Sequence, residues 1–169
     1  IHAVSLPPRP GLPHGLLLPS VYAPLQLQPL DRSRFDLAMQ ELCHTLDMQR
    51  PTLLMGDFNG SLLPSRDYLS ESGHRRPPCP LLAALLGPGT PWVDVQASLL
   101  SPPLPWTYKN IDSAGKTSAS RIDLILANQA ALRLVVSTTV LCGINHGGHS
   151  PVTVNLSLDA PTSLTWHRP

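Results

Sequence analysis

The sequence predicts a single α/β domain, and two observations support that prediction. The apolar runs 16–23 and 52–55 have the composition of buried strands, and each ends at a proline or a glycine. A helical pattern begins between them near Ser33, with Asp36 three residues later as its capping partner. Strand, helix and strand within about 40 residues are typical of a crossover connection between neighbouring strands of one sheet.

Length and composition agree with one domain. The chain has 169 residues, a formal net charge of +1, 14% charged residues and 20 prolines. It is long enough for one core and too short for two. The small net charge provides no overall field that would attract nucleic acid or repel it. Because so few charges make a poor surface for a free monomer, we expect another molecule to cover part of it.

The cysteines and the first residues bear on the compartment. Three cysteines without a Cys-x-x-Cys spacing indicate neither a disulfide framework nor a zinc site, so we expect an intracellular, reducing compartment. The chain starts at Ile1, shows no cationic segment followed by a long apolar run, and has no run of 18 apolar residues. We therefore expect no membrane span, and a piece of a longer precursor or polyprotein.

The first half of the chain is predicted to contain three strands and one helix. The first strand covers 1–6, and the proline-rich lead-in up to Gly15 cannot extend it. The second strand covers 16–23 and the third 52–55. The helix between the last two has one apolar stripe, formed by Phe35, Met39, Leu42 and Leu46. Residues 60–80 are polar and proline-rich, and we expect a surface excursion there.

The second half is predicted to consist mostly of strands. A short helix is expected over 81–86, and a strand start or buried turn over 92–95. An aromatic strand over 106–109, a polar hairpin loop over 110–118 and a strong strand over 120–126 follow. Strands over 132–141 and 150–158 flank a glycine-rich polar loop at 143–149. Residues 159–169 form a tail, and no domain boundary interrupts 1–169.

The third strand ends abruptly in Gly56-Asp57-Phe58-Asn59. A carboxylate and an amide two residues apart on an extended segment point to the same side, so Asp57 and Asn59 are placed to address one ligand. Asp57 suits a hard cation or a proton acceptor, and Asn59 suits donation to a phosphate oxygen. The alternative is an Asx turn, which both residue types favour for backbone reasons.

Two further groups, Asp123 and His149, lie at expected strand ends downstream. A histidine held by a carboxylate can act as a base or an acid, or donate to a phosphoryl oxygen. A second carboxylate can hold Mg²⁺ against the same phosphate. Together with Asp57, these residues indicate phosphodiester chemistry.

Five segments in this order resemble the signatures of the endonuclease/exonuclease/phosphatase superfamily, whose members include DNase I, apurinic endonucleases, inositol-phosphate phosphatases and the endonucleases of LINE-type retrotransposons. They are Val21-Tyr22-Ala23-Pro24, Gly56-Asp57-Phe58-Asn59, Trp106-Thr107-Tyr108, Ser120-Arg121-Ile122-Asp123 and Gly148-His149-Ser150-Pro151-Val152. The stretch 106–126 looks most like the retrotransposon-type enzymes. The resemblance implies a DNase I-like two-sheet sandwich with outer helices, of which this chain is the C-terminal half as a single partial domain.

The resemblance also implies a role for each site residue. Asp57 would be the general base and, with Asn59, would contact the scissile phosphate and hold Mg²⁺. Tyr22 would lie near the phosphate. Asp123 would orient the imidazole of His149, and His149 would stabilise the phosphorane-like transition state.

Basic residues are the expected contacts to a nucleic-acid backbone. Lys109, Lys116 and Arg121 are candidates for phosphate contacts, and the alternative for each is a solvated loop charge. Among the other histidines, His146 is the one that merits attention as a substitute metal ligand.

Two departures from the superfamily pattern weaken the implied cation site. An acidic residue normally precedes the histidine, whereas this chain has Gly148. The first half of the superfamily fold, with an Asn and the Glu that is the principal Mg²⁺ ligand, is missing. Neither Glu41 nor Glu71 takes the place of that Glu, and Mg²⁺ is held by few carboxylates to begin with.

Three functions therefore remain open at this point. The first is a Mg²⁺-dependent nuclease whose site is degenerate or completed by another chain. The second is a non-catalytic structural or interaction subunit of a larger assembly. The third is an inositol-phosphate or other small-molecule phosphatase. A lone second half would also leave an apolar sheet face open, so we expect a partner on it, either the missing half or an unrelated protein.

Overall fold

The structure is a computed structural model, and it describes residues 2–25, 29–73, 77–144 and 147–158. The elements within these residues are β1 (His2–Leu6), β2 (Leu16–Tyr22), α1 (Pro29–Thr45), β3 (Leu53–Asp57), α2 (Pro64–Asp67), β4 (Tyr68–Ser70), α3 (Pro80–Leu86), β5 (Trp92–Asp94), α4 (Val95–Leu99), β6 (Tyr108–Ile111), β7 (Thr117–Ser120), β8 (Asp123–Asn128), α5 (Gln129–Leu132), β9 (Val135–Val140) and β10 (Val152–Leu156).

A five-stranded sheet in the order β1-β2-β3-β8-β5 organises the fold. Strands β2 and β3 are parallel and joined through α1, which confirms the predicted crossover, and the other pairs are antiparallel. The register pairs Tyr22 with Asp57, and Asp57 with Asp123. Because paired residues on neighbouring strands share a face, three predicted site residues emerge side by side at one end of the sheet.

The two faces of this sheet are covered differently. Helices α1 and α3 pack on one face, where the core includes Val21, Met39, Leu54, Phe58, Leu82 and Leu126. The other face contacts a second sheet made of β9 and β10, through Leu53, Ile125, Ala127 and Val135. Leu18 and Met55 on that face remain half-buried, as do the side chains of β10 that point towards it. The layers are therefore helix, sheet and sheet, consistent with a DNase I-like fold.

A third, three-stranded sheet in the order β4-β7-β6 lies beside the site. Its strand β6 also contacts the glycine-rich loop, because Tyr108 forms an isolated antiparallel bridge with His149. The backbone amide of Lys109 donates to the carbonyl of Gly148 at 2.9 Å. The hairpin β6–β7 therefore holds the segment that carries His149.

Several element boundaries differ from the prediction. Helix α1 begins at Pro29 rather than at Ser33, since proline fits the first turn of a helix. The surface excursion expected over residues 60–80 contains two short elements, α2 and β4. The strand expected over 120–126 is interrupted at Arg121 and Ile122, which separate β7 from β8. The residues that link the two strands thus belong to neither sheet.

The last two expected strands are also shorter than predicted. Residues 129–132 form the helical turn α5, because the side chain of Asn128 caps it by accepting the amide hydrogen of Ala131 at 2.8 Å. The first of these strands therefore begins only at Val135. His146, residues 74–76 of the expected surface excursion and the expected tail at 159–169 lie outside the described residues. Within the described ranges, no helix is long and apolar enough to cross a membrane.

Candidate active site

Asp57, Asp123 and His149 meet at one end of the central sheet. The Nδ1 atom of His149 lies 3.0 Å from Oδ2 and 3.2 Å from Oδ1 of Asp123. One ligand atom from each of the three residues falls within 4.8 Å of the others. Asp123 lies 26 positions before His149 in the chain. The pairing of β3 with β8 and the bridge between Tyr108 and His149 bring the three residues together.

His149 is oriented by contacts on two sides. Its Nδ1 faces the carboxylate of Asp123, and this arrangement favours the tautomer in which Nδ1–H donates to that carboxylate. The ring of Tyr108 packs against the imidazole with 4.7 Å between centroids and a tilt of 54°. The imidazole is 37% exposed, so Nε2 is the atom through which it can address a ligand.

Asp57 is the buried carboxylate of the site, with 9% of its surface exposed. Burial raises its pKa, and the negative charge of Asp123 adds to that effect. The hydrogen bond from the Asn59 amide and the positive charges of His149 and Arg32 act in the opposite direction. The net direction is upward, which makes Asp57 a better proton acceptor than an ordinary aspartate.

The side chain of Asn59 does not have the orientation that the sequence analysis predicts. Its φ is +45°, so the segment is not extended beyond Asp57, and the premise that the two side chains point to one side is wrong. The backbone amide of Asn59 donates to Oδ1 of Asp57 at 2.7 Å, and its Nδ2 donates to the carbonyl of Ala23 at 2.6 Å. The Asx turn is therefore present, and Asp57 joins the site all the same.

An open cleft of about 540 Å³ extends from the three residues along the half-covered sheet face. Tyr22, 75% exposed, lines its mouth, and Met55, Ile125 and Val152 line its apolar part. Neither Asn59 nor Lys109 lines this cleft. The side chain of Glu71 lies elsewhere and accepts the amide hydrogen of Thr117 at 2.7 Å.

The three predicted phosphate contacts differ in their surroundings. Lys109 and Lys116 are exposed on the β6–β7 hairpin. Arg121 is 1% exposed, with Nε 3.1 Å from Oδ1 of Asp67 and Nη2 2.7 Å from Oδ2 of Asp94. Both interpretations of Arg121 are wrong, because its guanidinium is neither solvated nor directed at a ligand.

Thr107 holds the site together, although the sequence offered only its place in an aromatic motif. Its side chain is fully buried, and Oγ1 accepts the amide hydrogens of Ile122 and Asp123 at 3.0 Å each. Its carbonyl accepts the amide hydrogen of Ser150 at 2.7 Å. One residue thereby fixes the backbone next to both Asp123 and His149.

The fold and this site define a class of protein, and the comparisons agree with it. Residues 4–157 match the model of the Endonuclease/Exonuclease/phosphatase family, and the chain belongs to that family. No curated protein matches the sequence significantly.

Solved structures share the fold at low identity. The catalytic domain of APE2 from Xenopus laevis has a TM-score of 0.65 and 20% identity, over 85% of this chain and 50% of that one. The 3'-5' exonuclease NExo from Neisseria meningitidis has a TM-score of 0.63 and 21% identity, over 86% and 61%. NExo also appears bound to a product DNA hairpin, with a TM-score of 0.61, 20% identity, and coverage of 85% and 61%. The chain spans about half to three fifths of the length of these structures.

The donor set at the site fits a divalent cation in part. Two carboxylates and an imidazole with ligand atoms within 4.8 Å are chemically suitable, and the mutual repulsion of Asp57 and Asp123 would be relieved by a positive charge. Position 148, however, supplies no ligand. Gly148 has φ +89°, and a Cβ there would lie 2.7 Å from the Lys109 carbonyl oxygen and 2.8 Å from Cε2 of Tyr108.

Restoring an acidic residue at this position is expected to damage the site. Gly148→Asp must adopt a left-handed backbone conformation and displace the Tyr108 ring that packs on His149, at a cost of about 1–3 kcal/mol. We expect a lower unfolding temperature and no gain in phosphodiesterase activity. Gly147→Ala is the matched control, since Gly147 also has positive φ (+59°) but no atom within 4 Å of its Cβ position. Higher activity in Gly148→Asp would contradict this prediction.

Proposed function

We propose that this chain forms the catalytic half of a metal-dependent phosphodiester hydrolase that acts on nucleic acid, with Mg²⁺ as the cation. The observation that supports the proposal most directly is the assembly of Asp57, Asp123 and His149 at the mouth of an open cleft. Membership of the family supports the reaction type. The NExo structure with a DNA hairpin supports nucleic acid as the substrate class.

Each residue then has a part in hydrolysis. Asp57, whose pKa burial raises, accepts the proton of the attacking water as the water oxygen bonds to phosphorus, while the bond from phosphorus to the leaving oxygen breaks and solvent water protonates that oxygen. In its imidazolium form, with a proton on each nitrogen, His149 donates from Nε2 to a non-bridging oxygen of the phosphate as negative charge develops there, and Asp123 holds the ring in the required orientation. Asp57 and Asp123 would hold the cation, which when bound would polarise the phosphate. Tyr22 at the cleft, and the exposed Lys109 and Lys116 outside it, would contact the rest of the polyanion.

We propose further that cation binding is weakened in this chain taken alone. A family member keeps additional acidic ligands, whereas position 148 excludes a side chain for the steric reasons above. Glu41 on α1 and Glu71 after β4 do not line the cleft. The stretch 106–126 also supports an origin among retrotransposon-type endonucleases, as the sequence resemblance suggested.

A partner is the second part of the proposal. The chain spans about half to three fifths of its structural neighbours, and the sheet face that carries Leu18 and Met55 is half-covered. We propose that the complementary half of the fold, on another polypeptide segment, covers this face and supplies the missing acidic ligand. An unrelated protein in that place would make the chain an interaction subunit, the alternative that the packing at Gly148 favours.

The half-covered sheet face allows a prediction of how the chain behaves without a partner. Because exposed apolar sheet surface promotes association, we expect self-association and binding of a hydrophobic dye such as ANS. Leu18→Glu should reduce both, whereas Leu37→Glu, at a residue 67% exposed on α1, should change neither. Light scattering coupled to size-exclusion chromatography measures the association. A monodisperse monomer that binds no dye would contradict the proposed partner.

The reaction is tested by incubating supercoiled plasmid with the purified chain and Mg²⁺ or Mn²⁺. Nicking that EDTA abolishes, and that depends on Asp57 and His149, is the expected result. Absence of nicking under all conditions, together with dye binding by the open face, would favour the interaction subunit. Release of phosphate from inositol phosphates without plasmid nicking would favour the small-molecule phosphatase.

A further inference from the structure

One arginine of helix α1, Arg32, is buried directly behind the loop that carries Asp57. Its side chain is 8% exposed, although arginine is seldom buried without a reason. Nη1 donates to the carbonyl of Phe58 at 2.9 Å and to the carbonyl of Pro24 at 3.2 Å. Nη2 donates to Sγ of Cys79 at 2.9 Å, and Nε donates to Oδ1 of Asp36 at 2.8 Å. A single guanidinium thus joins four separate parts of the chain.

The two carbonyls that it binds frame the catalytic carboxylate. Phe58 stands between Asp57 and Asn59, so its carbonyl belongs to the peptide group whose amide donates to Oδ1 of Asp57 at 2.7 Å. Pro24 follows Ala23, whose amide donates to the carbonyl of Asp57 at 2.8 Å. The carbonyl of Ala23 in turn accepts from Nδ2 of Asn59. Arg32 is therefore bonded to both backbone segments that set the position of Asp57.

The position of the Asp57 carboxylate depends on the orientation of the Phe58–Asn59 peptide group. Asn59 has φ +45°, an uncommon backbone conformation for a residue other than glycine, and it persists only when surrounding contacts hold it. Nη1 of Arg32 donates to the oxygen of this peptide group, and Oδ1 of Asp57 accepts its hydrogen. Rotation of the peptide would weaken both bonds together.

We propose that Arg32 is a positioning residue, which sets the orientation of the Asp57 carboxylate through the Phe58–Asn59 peptide group. Arginine suits this role because its planar fork donates in several fixed directions, whereas lysine offers a single point charge. The effect on rate rests on the proposed function of the site. The effect on the peptide group does not, and it can be measured without any substrate.

The experiment compares hydrogen exchange at the Asn59 backbone amide in five proteins: the full chain, Arg32→Met, Arg32→Lys, Met39→Ala and Asp36→Asn. Each rate is divided by that of the Leu126 amide in β8, which lies between β3 and β5 in the five-stranded sheet, so that global destabilisation cancels. Met39→Ala is the matched control, because Met39 is fully buried on the same helix and shares the apolar core with Phe58 but makes no side-chain hydrogen bond to the loop, so it tests the loss of packing alone. Asp36→Asn removes the ion pair and keeps an oxygen acceptor for Nε.

We expect the normalised exchange of Asn59 to rise about tenfold or more in Arg32→Met, by a smaller factor in Arg32→Lys, and not at all in the two controls. In a chain that cleaves plasmid, Arg32→Met should lower kcat about 100-fold with little change in KM. If Arg32→Met does not fold, Arg32→Lys provides the test, because it keeps the positive charge and one donor nitrogen. Unchanged normalised exchange in the folded variants, or an equal rise in Met39→Ala, would overturn the proposal. A changed exchange without cleavage by any protein would overturn only the proposed function.

Discussion

Alanine in place of His149 is expected to lower the rate of plasmid cleavage by about 10²–10⁴-fold. The reason is that, in the proposed mechanism, Nε2 of His149 donates to the phosphate, with Asp123 bonded to Nδ1 and Tyr108 packed beside the ring. Asp57→Ala should have an effect of the same order, because it removes the residue that we propose as the proton acceptor. Nicking of supercoiled plasmid with Mg²⁺ or Mn²⁺, quantified over time, measures each rate.

Two further variants sharpen this series. Asp123→Asn keeps the shape of the side chain but removes the charge that orients the imidazole, and we expect a loss nearly as large as in His149→Ala. His44→Ala removes an exposed histidine in the last turn of α1 and should cleave at the rate of the unchanged chain. Equal cleavage by His149→Ala and His44→Ala would mean that the assembled residues do not act in catalysis.

Methionine in place of Arg121 is expected to cost about 3–5 kcal/mol of unfolding free energy, the largest stability effect that we foresee. The guanidinium is the counter-charge for Asp67 and Asp94, which are 1% and 8% exposed. Its removal leaves buried carboxylates without adequate partners, although Arg66 still contacts Asp67 at 2.8 Å. Thermal unfolding should show a fall of roughly 10 °C or more for a domain of this size.

The effect of Arg121→Met should also depend on pH. Burial alone would raise the pKa of Asp67, but the hydrogen bonds and charges of Arg66 and Arg121 outweigh it and hold the pKa below its ordinary value. A lowered carboxyl pKa contributes stability that is fully present above the unfolded value, and that is lost as pH falls through the folded value. The difference between Arg121→Met and the unchanged chain should therefore shrink in acid.

Two variants control this prediction. Arg133→Met replaces an exposed arginine and should change the unfolding free energy by no more than about 0.5 kcal/mol. Asp67→Asn in the Arg121→Met background removes one of the orphaned charges, so part of the lost stability should return. If Arg121→Met unfolded at the same temperature as Arg133→Met, the buried ion pairs would have no measurable net role.

The strands and the helix of the crossover unit could be predicted from local pattern alone. The run that ends at Gly56-Asp57 has few alternatives to a buried strand, and the stripe from Phe35 to Leu46 has the period of a helix packed on a sheet. The candidate site residues Tyr22, Asp57, Asp123 and His149 could also be proposed from the sequence, because strand-end polar residues in this order resemble the signatures of a family that the chain belongs to. All of these inferences rest on patterns among residues close together in the chain or on the order of short motifs along it.

Other features depended on residues far apart in the chain. A charged residue such as Arg121 looks like a surface residue until Asp67 and Asp94 are brought against it from 54 and 27 positions away. Likewise, nothing local distinguishes Arg32 from the exposed Arg34 on the same helix, yet only Arg32 meets the carbonyl of Phe58. Local pattern predicts which side chains are polar but not which polar groups will be paired when the core closes.

The sequence by itself determined the class of fold, the crossover unit and the identity of the residues at the site. The tertiary structure alone decided that Asn59 turns back onto Ala23, that Arg121 is buried, and that a side chain at position 148 would be strained. The physical reason is that hydrophobic period and turn chemistry act between near neighbours. The pairing of buried charges and the space around a Cβ are set instead by strands and helices that meet only in the folded chain.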